Sequence, residues 1–222
     1  LYNYFVADEV PVPQWGHVPP KDPSAIDDLV EVYRQSEYSI KETLRVLFNS
    51  EFFKQARFTR VKSPAEFIIN TLRCTGDYQV IDGSDNTVYQ IMEDSGFMGQ
   101  KLTNPPSVEG WHTGEEWITS GSLVDRVNFV TKYITDENNP GVGNMIARVA
   151  DKITDKTTPG QFLEICISVL GELDLSDETY DALMTIVEHT LSVEGSFTSS
   201  STESLVTKVF QIVSSSKEFQ LC

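Results

Sequence analysis

The chain has 222 residues, 40 % of them hydrophobic with twelve phenylalanines, which is enough to bury a core in one large domain or two small ones. Its 17 lysines and arginines against 33 aspartates and glutamates leave a net charge of −16, which excludes the electrostatics of a nucleic-acid or anionic-membrane binder. No apolar run approaches the roughly 18 residues of a membrane-spanning helix, and three scattered cysteines, Cys74, Cys166 and Cys222, have no metal-ligand spacing.

Leu1 to Val10 is apolar and aromatic and reads as the end of an earlier helix. On that reading the chain is the C-terminal piece of a longer protein, and it should expose an apolar patch near residues 1–10 and self-associate. Pro11 to Pro23 holds five prolines with Trp15 and His17, an irregular connector. Ser24 with Asp27 predicts a helix over 25–35 with Ile26, Leu29, Val30 and Tyr33 on one face. Ser39 with Glu42 predicts the next, lined by Ile40, Leu44, Leu47 and Phe48, and Asn49 to Phe53 turns the chain. Ser63-Pro64-Ala65-Glu66 is a strong helix start, and Ala65, Ile68, Ile69 and Leu72 point inward. Asp82 to Asn86 is a polar turn before a short helix that ends near Gly96.

The stretch from Gln100 to Trp117 is locally unusual. Pro105 and Pro106 force an extended segment from Asn104 to Ser107. Gly110 and Gly114 free the backbone around Trp111. Thr113 and Glu116 have capping-box spacing for a short helix carrying Trp117, and Ser122 with Asp125 predicts a helix over 123–134. Trp111 is expected to be buried against the helices that start at Ser63 and Ser122. Asp136 to Gly143, with Asn139-Pro140-Gly141, breaks the chain and offers a subdivision of the single domain 1–222 into 1–135 and 144–222. Beyond it four helices are expected: one with Ile146, Val149, Ala150 and Ile153, one starting near Pro159, one capped by Ser176, and, after a serine-rich loop, Ser192 to Ser201, a last one with Leu205, Val206, Val209, Phe210 and Val213. No alternating strand is found, so the fold class is all-α, a multi-helix orthogonal bundle with long irregular loops and no substantial sheet.

The order of motifs resembles that of the bacterial DUF1800 family, domain of unknown function 1800, over its C-terminal portion. The pieces are Tyr4-Phe5-Val6-Ala7-Asp8, Leu47-Phe48-Asn49-Ser50-Glu51-Phe52, Lys62-Ser63-Pro64-Ala65-Glu66-Phe67 and Gly99-Gln100. Asn104-Pro105-Pro106-Ser107-Val108-Glu109-Gly110-Trp111, Trp117, the Arg126 helix and the terminal Ser216-Lys217-Glu218-Phe219-Gln220-Leu221 complete them, with Lys217 where a proline is common. The resemblance implies a bacterial protein, exported to the periplasm or beyond. It also implies a protein partner from the DUF1501 family, whose genes often neighbour those of DUF1800 proteins. It carries over no catalytic residue.

The chemistry legible in the residues is sparse. Trp111, His112, Glu115, Glu116 and Trp117 could form a glycan-binding platform, since indole faces stack on sugar rings and carboxylates accept hydroxyl protons. Tryptophans between Gly and Pro equally serve as anchors on a helical body. Glu109, Glu115 and Glu116 supply carboxylates for a glycosidase pair. Asp82, Asp85 and Asn86 offer calcium-type oxygens without the EF-hand pattern, and an Asx turn explains them as well. His17, His112 and His189 are scattered and fit neither a zinc set nor a triad, so no metal and no cofactor is expected. Two functions follow as expectations: a non-catalytic exported accessory or protein-interaction module, or a carbohydrate-active hydrolase or glycan binder with its site near 104–117.

Overall fold

A computed structural model describes residues 1–10, 12–76, 87–136, 139–154, 156–171, 173–194, 197 and 199–222. Among these, eleven α-helices account for the architecture, and extended pairing is limited to isolated bridges, so the fold is all-α. No helix among the described residues is long and apolar enough to cross a membrane. The chain divides into two compact units.

The first unit is Leu1–Val61 with His112–Glu116 and Leu221–Cys222. It holds α1 (Tyr2–Phe5), a 3-10 turn (Val12–Gln14), α2 (Pro23–Gln35), α3 (Ile40–Asn49) and α4 (Glu51–Gln55). α2 starts earlier than Ser24 predicts: the Asp22 carboxylate caps it by accepting the Ala25 N–H, and Pro23 takes the first helical position, where a missing N–H costs nothing. The Ser39 hydroxyl caps α3 as expected by accepting the Glu42 N–H. What read as a turn at Asn49 to Phe53 is a further cap, because the Ser50 hydroxyl accepts the Phe53 N–H and opens α4. The small core is Val6, Leu29 and Leu47, with Phe5, Phe48 and Phe53 stacked edge-to-face at 5.2 and 5.1 Å. Leu221 pairs with Val61 as an antiparallel bridge, where Arg60 and Cys222 exchange N–H···O bonds of 3.2 and 2.8 Å.

The second unit is Lys62–Trp111 with Trp117–Gln220. Its helices are α5 (Pro64–Thr75), α6 (Thr87–Phe97), α7 (Ser120–Ile134), α8 (Pro140–Ala150), α9 (Pro159–Leu170), α10 (Asp177–Glu194) and α11 (Ser199–Ser215). α11 packs on α7, α8, α9 and α10, and Val206, Val209, Phe210 and Val213 put a fully buried stripe at the centre. The capping box predicted at Ser63 and Glu66 is present, but Ile69, expected inward, is exposed while Phe67 is buried. α7 begins at Ser120, three residues before the expected start. Thr119 is its cap, and Ser122 is the reciprocal partner within the box. Its buried stripe is Arg126, Phe129, Val130, Tyr133 and Ile134, with Leu123 outside it. Asn139-Pro140-Gly141 lies within this unit, where Asn139 caps α8. Of the serine-rich segment 192–201, residues 192–194 close α10 and residues 199–201 open α11, while 195, 196 and 198 lie outside the described residues. Asp82, Asp85 and Asn86 lie outside the described residues.

Candidate functional site

The residues named from sequence as a platform fall in different units: His112, Glu115 and Glu116 in the first, Trp111 and Trp117 in the second. Trp117 is buried, only 5 % exposed, and its ring covers Gly99, where a Cβ would come to 3.8 Å of it. The Ser122 hydroxyl donates 2.7 Å to its carbonyl, tying Trp117 to the start of α7. Trp117, not Trp111, is therefore the buried anchor. Trp111 is half-buried, and its indole N–H is shielded from solvent without an acceptor. Glu116 does not cap the turn with Thr113. Its carboxylate meets His112 Nδ1 at 2.9 Å on an exposed surface, a contact of little energetic consequence. Glu109 and Glu115 are exposed, as are His17 and His189.

Gly114 has φ +62°, which strains any side chain, and a Cβ there would crowd Asp8 Cγ at 3.1 Å. Asp8 accepts the Val61 N–H at 2.7 Å. Burial raises its carboxyl above the ordinary range, against the pull of that bond and of Arg60 and Lys21.

The concave feature of the first unit is elsewhere. An apolar groove of about 440 Å³ runs along α2. Ile26, Leu29, Val30 and Tyr33 form its floor, and Val12 and Trp15 from the proline-rich segment form a wall. Leu1, Tyr2, Asn3, Val10, Ile40 and Thr43 complete the lining together with Glu9. The Trp15 indole N–H donates 2.8 Å to the Val10 carbonyl, so the ring is held in place. Glu9 is the acid of the lining, and it is buried. Its two oxygens share the Lys21 N–H at 2.8 and 3.0 Å, while its own N–H donates to the Asn3 side-chain oxygen. The α2 stripe reads in sequence as a covered face, yet Val30 and Tyr33 remain 41 % and 38 % exposed. Trp15 in the connector was the one sequence signal that a large side chain stood nearby.

The second unit buries four long polar side chains, Lys62, Arg126, Glu218 and Gln220, among the described residues. Arg126 is fully buried. It donates to Gln220 Oε1 at 3.1 Å and to the Lys62 carbonyl at 2.8 Å, with its guanidinium 5.0 Å from the Phe67 ring centroid. Burial pushes its pKa down to about 10, so it is still a cation at neutral pH. Lys62 Nζ donates 2.7 Å to the Phe219 carbonyl and lies over the Phe219 ring. Glu218 accepts from the Ser176 hydroxyl at 2.6 Å and from Thr179 at 3.2 Å. These groups join four distant segments, and of the Arg126 guanidinium the Nε–H is buried without an acceptor.

The model of the family described as "Protein of unknown function (DUF1800)" matches residues 1–221, essentially the whole chain. The chain belongs to the DUF1800 family. No curated protein and no solved structure matches it. The DUF1800 motif pieces now have places. Lys62, Phe67, Arg126, Phe219 and Gln220 meet in the clasp just described, and Gln100 Oε1 accepts the Ala65 N–H at 2.8 Å beside it. Phe5, Phe48 and Asp8 organise the first unit. The chain's DUF1800 motifs therefore hold the fold together, while the groove is lined by residues outside most of them.

Proposed function

We propose that this DUF1800 chain is a non-catalytic accessory protein, exported from the cytoplasm, that docks a protein partner in the apolar groove of its first unit. The observation that carries the reading is the groove itself. It has the volume of a built recognition site, and its Trp15 wall is fixed by a hydrogen bond. Its Val30 and Tyr33 floor stands open in a chain of net charge −16. An open apolar surface of this kind on an otherwise highly charged protein is a mark of interaction. The glycan-platform alternative needs two free indole faces, and the burial of Trp117 removes one. Export and the choice of a DUF1501-family protein as partner rest on the family.

The test is co-expression with a DUF1501-family protein and affinity purification of the complex. Wild type should co-elute with it. Val30→Glu, which puts a charge in the groove at an exposed helix position, should not, while Val193→Glu on α10 should behave as wild type. Co-elution of Val30→Glu at wild-type yield would refute the groove as the docking surface.

A further inference from the structure

Resting on the reading that this chain binds a protein partner, but not on the groove, we infer that the loop 101–110 of the second unit is a preformed contact for that partner, with Val108 entering an apolar socket on it. Every residue from Lys101 to Glu109 is exposed, and Val108 is wholly so. The loop nevertheless has a fixed shape. At its base Gln100 is held three times: its N–H donates to the Ser95 carbonyl, its carbonyl accepts the Ser95 hydroxyl, and its side-chain oxygen accepts the Ala65 N–H, each at 2.8 Å. The Asn104 N–H then closes a turn on the Lys101 carbonyl at 3.1 Å, with Thr103 at φ +66°. Pro105 and Pro106 set their own φ. At the tip the Gly110 N–H donates to the Ser107 carbonyl at 3.1 Å, and Ser107 Oγ accepts the Glu109 N–H at 3.2 Å. Val108 is therefore displayed on a closed turn.

Stability alone does not account for this shape. Prolines restrict the unfolded chain and stabilise any loop whose backbone they fit. Thr103 works in the opposite direction, because a β-branched residue is strained in the left-handed region where glycine or asparagine is tolerated. Strain held in an exposed segment is not repaid by packing, and it collects where shape serves recognition. A loop already in its bound shape also loses less freedom on binding. Size and charge then choose the class of partner. One valine is too little apolar surface to hold a membrane. Glu109 beside it, in a chain of net charge −16, opposes an anionic lipid surface or a nucleic acid. A protein socket of isopropyl size, with an N–H donor at its rim for the Glu109 carboxylate, fits both side chains.

The test is calorimetric titration of the 222-residue chain with a DUF1501-family protein, alongside urea denaturation of each variant. Val108→Ser should bind about ten-fold more weakly, the equivalent of burying one valine, with an unchanged urea midpoint because the side chain is already exposed. Thr103→Gly should be at least as stable as wild type, since its strain is relieved, and should bind about three-fold more weakly, since the loop is no longer held in shape. A cyclised peptide of residues 103–110 should compete for the partner, which reads the loop without relying on any variant. Wild-type affinity in Val108→Ser would overturn the socket and leave groove docking standing. Wild-type affinity in Thr103→Gly would overturn the role of the fixed shape. Loss of affinity in Val108→Ser with none in Val30→Glu would keep the loop and overturn the groove. Failure of the wild-type chain to bind would overturn both.

Discussion

Replacing Arg126 by methionine isolates the energetics of the buried clasp, because methionine is unbranched, of similar reach, and able to adapt to an irregular space. Arg126 makes two charge-assisted hydrogen bonds, to Gln220 and to the Lys62 carbonyl, worth about 2 kcal/mol each. Its approach to the Phe67 ring in a desolvated setting adds about 2 kcal/mol. Against these stands the cost of burying the guanidinium. The fall of its pKa from 12.5 to about 10 corresponds to about 3 kcal/mol. The Nε–H, buried without an acceptor, costs about 1 kcal/mol more, which leaves a balance of about 2 kcal/mol in favour of arginine, so Arg126→Met should lower the stability read from the urea midpoint by that much at an unchanged denaturant slope. Arg126→Lys should not rescue it, since a single ammonium lacks the planar fork that reaches both acceptors. An Arg126→Met protein as stable as wild type, or more so, would mean that desolvation outweighs the bonds, as happens for some buried ion networks, and the clasp argument would fail.

Glu218 makes stability depend on pH in the acid range. Burial would raise its carboxyl, but hydrogen bonds led by the Ser176 hydroxyl bring it down from 4.5 to about 2. The stabilisation is therefore complete above the unfolded value and is lost as pH falls from about 4.5 to about 2. Glu218→Gln should flatten that part of the stability profile in denaturant titrations, and an unchanged acid limb would contradict the assignment. Trp117→Ala should cost about 3–5 kcal/mol as a buried aromatic truncation, and the half-buried Trp111→Ala clearly less; the reverse order in the same denaturation assay would return the anchor role to Trp111.

Helix positions and the all-α class were legible because they rest on local signals. Ser63-Pro64-Ala65-Glu66 contains every element of a capping box, and it forms one. Where two neighbouring residues could each cap, sequence offered no way to choose. Asp22 caps α2, while the Ser24 hydroxyl donates to that same carboxylate. At α7 the box closes on Ser122 rather than on a glutamate or glutamine, so the pattern pointed three residues too far along. Periodicity identified Ile26, Leu29, Val30 and Tyr33 as one apolar face, but whether a face is covered depends on elements that periodicity does not describe. Nothing local in the sequence marks Arg126, in the middle of a helix, as buried. Its partners, Lys62 and Gln220, are 64 and 94 positions away, which local reading does not reach. The tryptophan loop drew attention through its Pro-Pro and glycine chemistry, which fixes backbone shape and leaves side-chain destination open.

The central claim, that the groove along α2 receives a partner protein, is tested most directly by site-specific photocrosslinking. A photoreactive residue placed at position 30, in the groove, is compared with one at position 193, exposed on α10, each in complex with a DUF1501-family protein. Docking in the groove predicts a crosslinked heterodimer from position 30 whose partner peptide is apolar, with none from position 193. Crosslinks of equal yield from both positions, or from position 193 alone, would contradict it.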